Sequence, residues 1–318
     1  MIKRSLIKVF LINLIFLFLF NNLNAETVSE DKPISDSTET NQQNIDTAEV
    51  TLTITNSTVT RGNKSIVVNS GLADVSISID SNSTVKTTSG DNPILGEDTT
   101  RLSVDNYGTI TSSSKKAIDI YRTTDATITN NSGGEIYAAG NTIRTGGTSS
   151  DNSVGYTITN SGKIYSTNTT NSAIFGNANS TGGKIVNNSG GEIYSIGSQA
   201  TIKVGASTTI TNSGSIKNNS DLDNSSISLL GNSNTVTLKN DGIVVGVIEA
   251  ADGTTGNKLQ MQHGFGQGYF YETSGDFTLE DLDGNQVVKG SAGSVGQGGS
   301  ETLDELLGYK SLNIRKSL

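Results

Sequence analysis

The side chains that most often carry enzymatic chemistry are sparse in this 318-residue chain, which has no Cys and a single His, His263. Thiolate zinc sites, cysteine nucleophiles and disulfides are thereby excluded, and an imidazole cluster cannot form. What recurs with a spacing is aromatic and amide. Tyr137, Tyr165 and Tyr194 lie 28 and 29 residues apart, preceded two positions earlier by Glu135, Lys163 and Glu192. Asn106, Asn130, Asn160, Asn187, Asn212 and Asn240 recur at similar intervals. Rings in a row can serve as a platform for sugars or stack on one another. Amides in a row can bond as a ladder, and Asn at a turn tolerates left-handed backbone. Neither pattern breaks or makes bonds, so we expect no catalytic residue, no metal site, no cofactor and no enzyme.

The elements that must position these residues form a repeat running from Val50 to about Glu249. Each unit has an apolar residue, Asn two positions on, a Gly or Ser turn, and a second apolar residue. Val104-Asp-Asn106-Tyr-Gly-Thr-Ile110, Ile158-Thr-Asn160-Ser-Gly-Lys-Ile164 and Ile210-Thr-Asn212-Ser-Gly-Ser-Ile216 are clear copies, and Ile128 to Ile136 and Ile185 to Ile193 carry one extra Gly-Glu step. Degenerate copies start at Ile54, Ile79 and Leu238, making eight. A third apolar site follows in most, at Ile66, Ile94, Ile118, Ile143, Ile174, Ile202 and Ile227. Three β-branched segments with period-2 alternation in about 25 residues, with no helical period, predict one coil of a parallel β-helix. The fold expected is therefore all-β, a right-handed parallel solenoid of about eight three-strand coils with a β cap at its C-terminal end. In such a stack Glu135, Lys163 and Glu192 would share one column and the three Tyr another, with alternating charges fixing register.

Composition fits a thin core. Ser, Thr and Asn supply 114 residues and Gly 36, against 33% hydrophobic and 5% aromatic residues. Two units are longer than the rest, one through Asn141 to Ser153 and one through Ser220 to Ser226. Extra residues in a solenoid bulge out as loops, either as binding surfaces or as neutral length drift.

The ends differ from the repeat. Lys3, Arg4 and Lys8 precede an apolar stretch from Val9 to Phe20, and Leu23-Asn24-Ala25 closes it, so residues 1–25 are expected to be a cleaved export signal, too short to cross a bilayer core as a helix. Its three cations leave with it, taking the net charge from −9 to −12 and arguing against nucleic acid as a partner. Residues 26–49 are acidic and polar and are expected to form a disordered leader. Residues 250–290 concentrate aromatics around His263, Phe265, Tyr269, Phe270 and Tyr271 and are expected to cap the stack, with a hairpin turning at Asp283-Gly284. His263 suits a packed cap residue, and Asp281, Asp283 and Asn285 suit a turn better than a calcium loop. Residues 291–318 should be a Gly/Ser linker followed by a short helix at Glu301 to Leu307.

The Asn-Ser-Gly-x-Ile units and the export signal resemble the passenger region of bacterial autotransporters, whose β-helical passenger is carried by a C-terminal outer-membrane barrel. The resemblance covers residues 1 to about 250. It implies an outer-membrane, cell-surface or secreted destination, a role in adhesion with glycans or cell surfaces as partners, and a barrel translocator encoded elsewhere or missing, since residues 291–318 are too few to build one. Two alternatives stand beside it: a β-helical carbohydrate-active enzyme, a polysaccharide lyase or hydrolase, and a disordered polar repeat.

Overall fold

Four-residue strands that alternate half-exposed and buried positions, such as Thr127–Asn130 and Thr157–Asn160, leave only two inward side chains each. A lone strand of this kind buries too little to stand by itself, and it is stable only when equivalents stack above and below it. A computed structural model describes residues 25–147, 150–219, 223–240, 242–262, 269–285 and 311–313 and shows that stack. Three parallel sheets, here A, B and C in the order in which the chain visits them, contain 12, 11 and 9 strands. The all-β solenoid with three strands per coil is the expected architecture, with nine complete coils among the described residues where the repeat suggested eight.

The additional coil comes from the segment expected to be disordered. Ala25–Val28, Lys32–Ser35 and Thr38–Glu39 form coil 1 and pair in parallel with the strands of coil 2, Gln42–Ile45, Thr51–Thr55 and Thr58–Arg61. Its polarity is misleading because a coil needs very few apolar residues: across residues 25–49 the buried Val28, Ile34 and Ile45 fill inward slots, Gln43 fills another as a buried amide, and the rest is half-exposed or exposed. One strand of coil 1 has a particular edge. Outward residues of sheet B send their N–H groups toward the preceding coil, as Ser76, Ser103 and Thr127 do to the carbonyls of Val50, Val75 and Leu102. Pro33 pairs with Thr53 at such an outward position, so the N–H it lacks would have pointed away from every described coil.

Register also corrects the phase of the degenerate copies. Val104 and Ile128 pair with each other and Val104 with Ile77, so Leu52, Ile77 and Val236 are the true first apolar sites. Ile54, Ile79 and Leu238 sit one pleat further, in the Asn column. The second and third sites are in phase as read, for example Ile110 with Val85 and Ile118 with Ile94. Stacked Ile and Val from all three sheets form one continuous core. Within the described residues of coils 1 to 9 one aromatic ring joins it, Tyr156, which is fully buried and fits because the next coil carries Gly183, where a Cβ would come within 2.3 Å of its ring.

The corner between sheets A and B is built from a column that no sequence pattern reveals. Glu49, Asp74, Arg101, Asp125, Gly155, Gly182, Ser207, Ser233 and Gly256 each stand two residues before a sheet B strand and all have positive φ, between 54 and 71°. Left-handed backbone here turns the chain in every coil from 2 to 10, whatever the side chain.

Beyond coil 9, Val247–Ala250 and, within the segment expected to be a β cap, Lys258–Met261, Tyr269–Ser274 and Thr278–Asp281 continue sheets A and B in parallel. Sheet C stops at Ile243–Val245 among the described residues. The turn at Asp283-Gly284 is present, closed by Asp281 N–H to the Asn285 carbonyl at 2.9 Å. The second hairpin arm lies outside the described residues, as do the export signal through residue 24, His263, the 291–300 linker and the 301–307 helix. Ser311–Asn313 pairs with Tyr269–Tyr271.

Candidate interaction face

Sheet C presents two outward columns. One runs Thr58, Thr84, Thr109, Glu135, Lys163, Glu192 and Ser215, and the other runs Thr60, Lys86, Thr111, Tyr137, Tyr165, Tyr194 and Lys217. Parallel in-register pairing puts like residue over like, which is why spacing in sequence becomes a row in space. The rings of Tyr137 and Tyr165 stack with centroids 4.9 Å apart and planes 9° from parallel, and those of Tyr165 and Tyr194 at 4.7 Å and 5°. Tyr165 therefore has a ring against each of its faces. Burial in this stack, with Glu135 nearby, raises the Tyr165 phenol well above the ordinary range, and burial raises Tyr194 too. In the neighbouring column Lys163 Nζ lies 3.8 Å from Glu135 Oε1, an exposed pair that contributes about 0.2–1 kcal/mol.

The Asn residues turn inward instead. Asn106, Asn130, Asn160, Asn187 and Asn212 end their sheet B strands fully buried; each of the first four donates its Nδ2 hydrogen to the next Oδ1 at 2.8 Å, and Asn212 Nδ2 donates to the Ile243 carbonyl at 3.0 Å. The same Nδ2 groups reach the turn carbonyls, as Asn106 does to Gly108 and Asn160 to Gly162, both at 3.1 Å. The ladder sits in strands, with none of its five members at positive φ, so left-handed turn backbone is not its role. Asn240 is not part of it. Leu238 takes the sixth rung, while Asn240 lies past the strand at φ 49° and donates to Ser213 Oγ at 3.3 Å.

Two features of sheet A escaped the sequence reading. In coils 5 and 6 the residues after the third Ile are Asp119 and Arg144, which meet in a bidentate pair at 2.6 and 2.7 Å. Asp119 is buried, and that desolvation raises its carboxyl despite the guanidinium. The Tyr121 ring lies between the guanidinium groups of Arg144 and Arg122, 4.6 and 4.8 Å away. Arg122 also pairs with Glu97, Asp98 and Asp151, the last belonging to the longer of the two inserted loops. The signal was the opposite charges one step after Ile118 and Ile143. Further along, Asp223, Ser225, Val247, Glu249 and Glu272 line an open groove of about 470 Å³ beside the second inserted loop, where Ser225 Oγ donates to Glu249 Oε2 at 2.7 Å. These carboxylates come from separate coils, with no shared motif to announce them.

The turn carboxylate Asp281 is taken up locally, accepting from the N–H groups of Asp283 and Asn285 at 2.9 and 2.7 Å and from Asn285 Nδ2 at 2.8 Å. No protein family, curated protein or solved structure matches this chain.

Proposed function

We propose that the chain is an exported, non-catalytic surface solenoid acting in adhesion or surface interaction, the role that its resemblance to autotransporter passengers implies. The observation that supports this is the outward face of sheet C, where three phenols and a Glu-Lys-Glu column stand side by side in register across coils 5 to 7. The stacking narrows how that face touches a ligand. Because Tyr165 is covered on both faces, contact is made by ring edges and hydroxyls, with a free ring face only at Tyr137 and Tyr194. A repeating partner such as a glycan or cell-surface polymer suits a face that itself repeats.

A second reading, a β-helical carbohydrate-active enzyme, draws support from the groove at Asp223, Glu249 and Glu272, since glycoside hydrolysis needs carboxylates on one face. One experiment separates the two: the purified chain is presented to a glycan and polysaccharide panel, with binding and release of cleaved product measured together. Binding without product, falling at least tenfold when Tyr137, Tyr165 and Tyr194 are all changed to Ala, is the expected result. Unchanged binding by a folded triple variant removes the sheet C face from the proposal. Cleavage that Glu249→Gln abolishes replaces the first reading with the second.

A further inference from the structure

The tyrosine column has a chemistry that needs no ligand and does not depend on the adhesion reading. One-electron oxidation of a phenol, with loss of its proton, gives a phenoxyl radical whose unpaired electron is shared with the ring carbons ortho to oxygen. Two such radicals join by a carbon–carbon bond between ortho carbons. Each ortho hydrogen then moves to its ring oxygen, which restores both phenols. The pair gives up two electrons and two protons in all, and one hydrogen peroxide accepts them to become two waters.

The step that limits coupling in most proteins is the meeting of two rings. Here the meeting is built in. Tyr137, Tyr165 and Tyr194 are direct partners in adjacent parallel strands, with centroids 4.9 and 4.7 Å apart and planes within 9°. All three are half-buried on an outward column, so a small oxidant reaches them and a modest tilt brings the ring edges together. The other tyrosines of the coils are placed differently: Tyr107 is exposed between strands, Tyr121 lies between two guanidinium groups, and Tyr156 is fully buried.

We propose that Tyr137, Tyr165 and Tyr194 form a site of intramolecular dityrosine cross-linking, at which a peroxide-driven one-electron oxidant joins coil 5 to coil 6 or coil 6 to coil 7. In a chain without cysteine this supplies the covalent tie between coils that disulfides supply elsewhere.

The test treats the full chain with a haem peroxidase and hydrogen peroxide and maps the products after trypsin, which places the three tyrosines in separate peptides, 123–144, 164–184 and 185–203. The expected products are 123–144 joined to 164–184, or 164–184 joined to 185–203, each lighter than its two parts by two hydrogens, in a yield independent of protein concentration. Tyr165→Phe, which keeps the stack, should lose both products, because Tyr137 and Tyr194 are then two strand spacings apart, about 9.6 Å. The proposal is overturned by the absence of these linked peptides. A yield that rises with concentration, marking links between chains, overturns it as well, and so does a 123–144 to 185–203 link that survives in the Tyr165→Phe variant.

Discussion

One column of sheet B is filled in two different ways along the rod. Coils 1 to 3 place Ile34, Ile54 and Ile79 in it, coils 4 to 8 place five Asn, and coil 9 and its successor return to Leu238 and Met261. In the apolar coils the turn backbone is held by hydroxyls: Ser57 N–H donates to Ser83 Oγ at 3.1 Å, and Ser57 Oγ donates to the Thr55 carbonyl at 2.7 Å. In the amide coils those Ser positions become Gly, as at Gly134, where a Cβ would stand 2.6 Å from Asn130 Oδ1. In coils 2 and 3 the slot thus holds an apolar side chain beside a serine turn and in coils 4 to 8 an amide beside a bare backbone, while coil 9 keeps the glycine, Gly242, beside Leu238. The amide solution is directional. Every Nδ2 points toward the C-terminal end, and the first rung, Asn106, has a buried Oδ1 with no donor because Ile79 lies below it.

The largest test of this contrast puts the terminal solution into the middle. Asn160→Leu copies the residue of coil 9 but leaves Asn187 Oδ1 buried without its donor and crowds Gly162, so we expect a loss of about 3 kcal/mol in denaturant unfolding. A neutral outcome would mean that the ladder is interchangeable with apolar packing and that the Gly column has another cause.

Acid should next separate coils 3 and 4, where Ile79 gives way to Asn106, from the middle of the ladder. Asp74, Asp80 and Asp98 in coils 3 and 4 are held below the usual aspartate range, chiefly by hydrogen bonds from Arg101, Ser83 and Arg122 respectively. With folded values below unfolded ones, their contribution is present above the ordinary aspartate value and is lost as pH falls through the folded one. The ladder amides do not titrate. Amide-exchange protection measured near pH 3 against pH 6 should therefore fall further in coils 3 and 4 than in coils 6 to 8, and a uniform fall would break the comparison.

The smallest effect probes the corner that both regions share. Ser207→Gly relieves a left-handed position in coil 8 and should gain about 0.5 kcal/mol, the strain relieved being partly offset by a more flexible unfolded chain. Loss of stability there would show that the Ser207 side chain matters more than its backbone.

Much of this was legible because in-register stacking converts period into contact. The Tyr row, the five-rung Asn ladder and the phase of the second and third apolar sites follow from spacing alone. What escaped did so for identifiable reasons. Residues 25–49 share their composition with every coil, so polarity could not distinguish order from disorder when Val28, Ile34 and Ile45 suffice. The Leu238 copy invited alignment on Asn240 because both are followed by a turn, and only pairing reveals the slip of one pleat. The corner column is invisible because backbone conformation, and no side-chain type, is what repeats there. Charged partners such as Asp119 and Arg144 belong to single coils and have no period to find.

The missing N–H of Pro33 has a consequence for how copies of this rod can meet. A parallel sheet with a bare end is a template on which another chain can add, and growth there requires the edge both to give and to receive bonds. On the first described strand of sheet B the imide nitrogen gives nothing, at a position where no bond within the described coils is sacrificed. End-to-end polymerisation through that edge is discouraged by one ring closure, and a Pro33→Thr chain is the one in which fibre formation should be looked for.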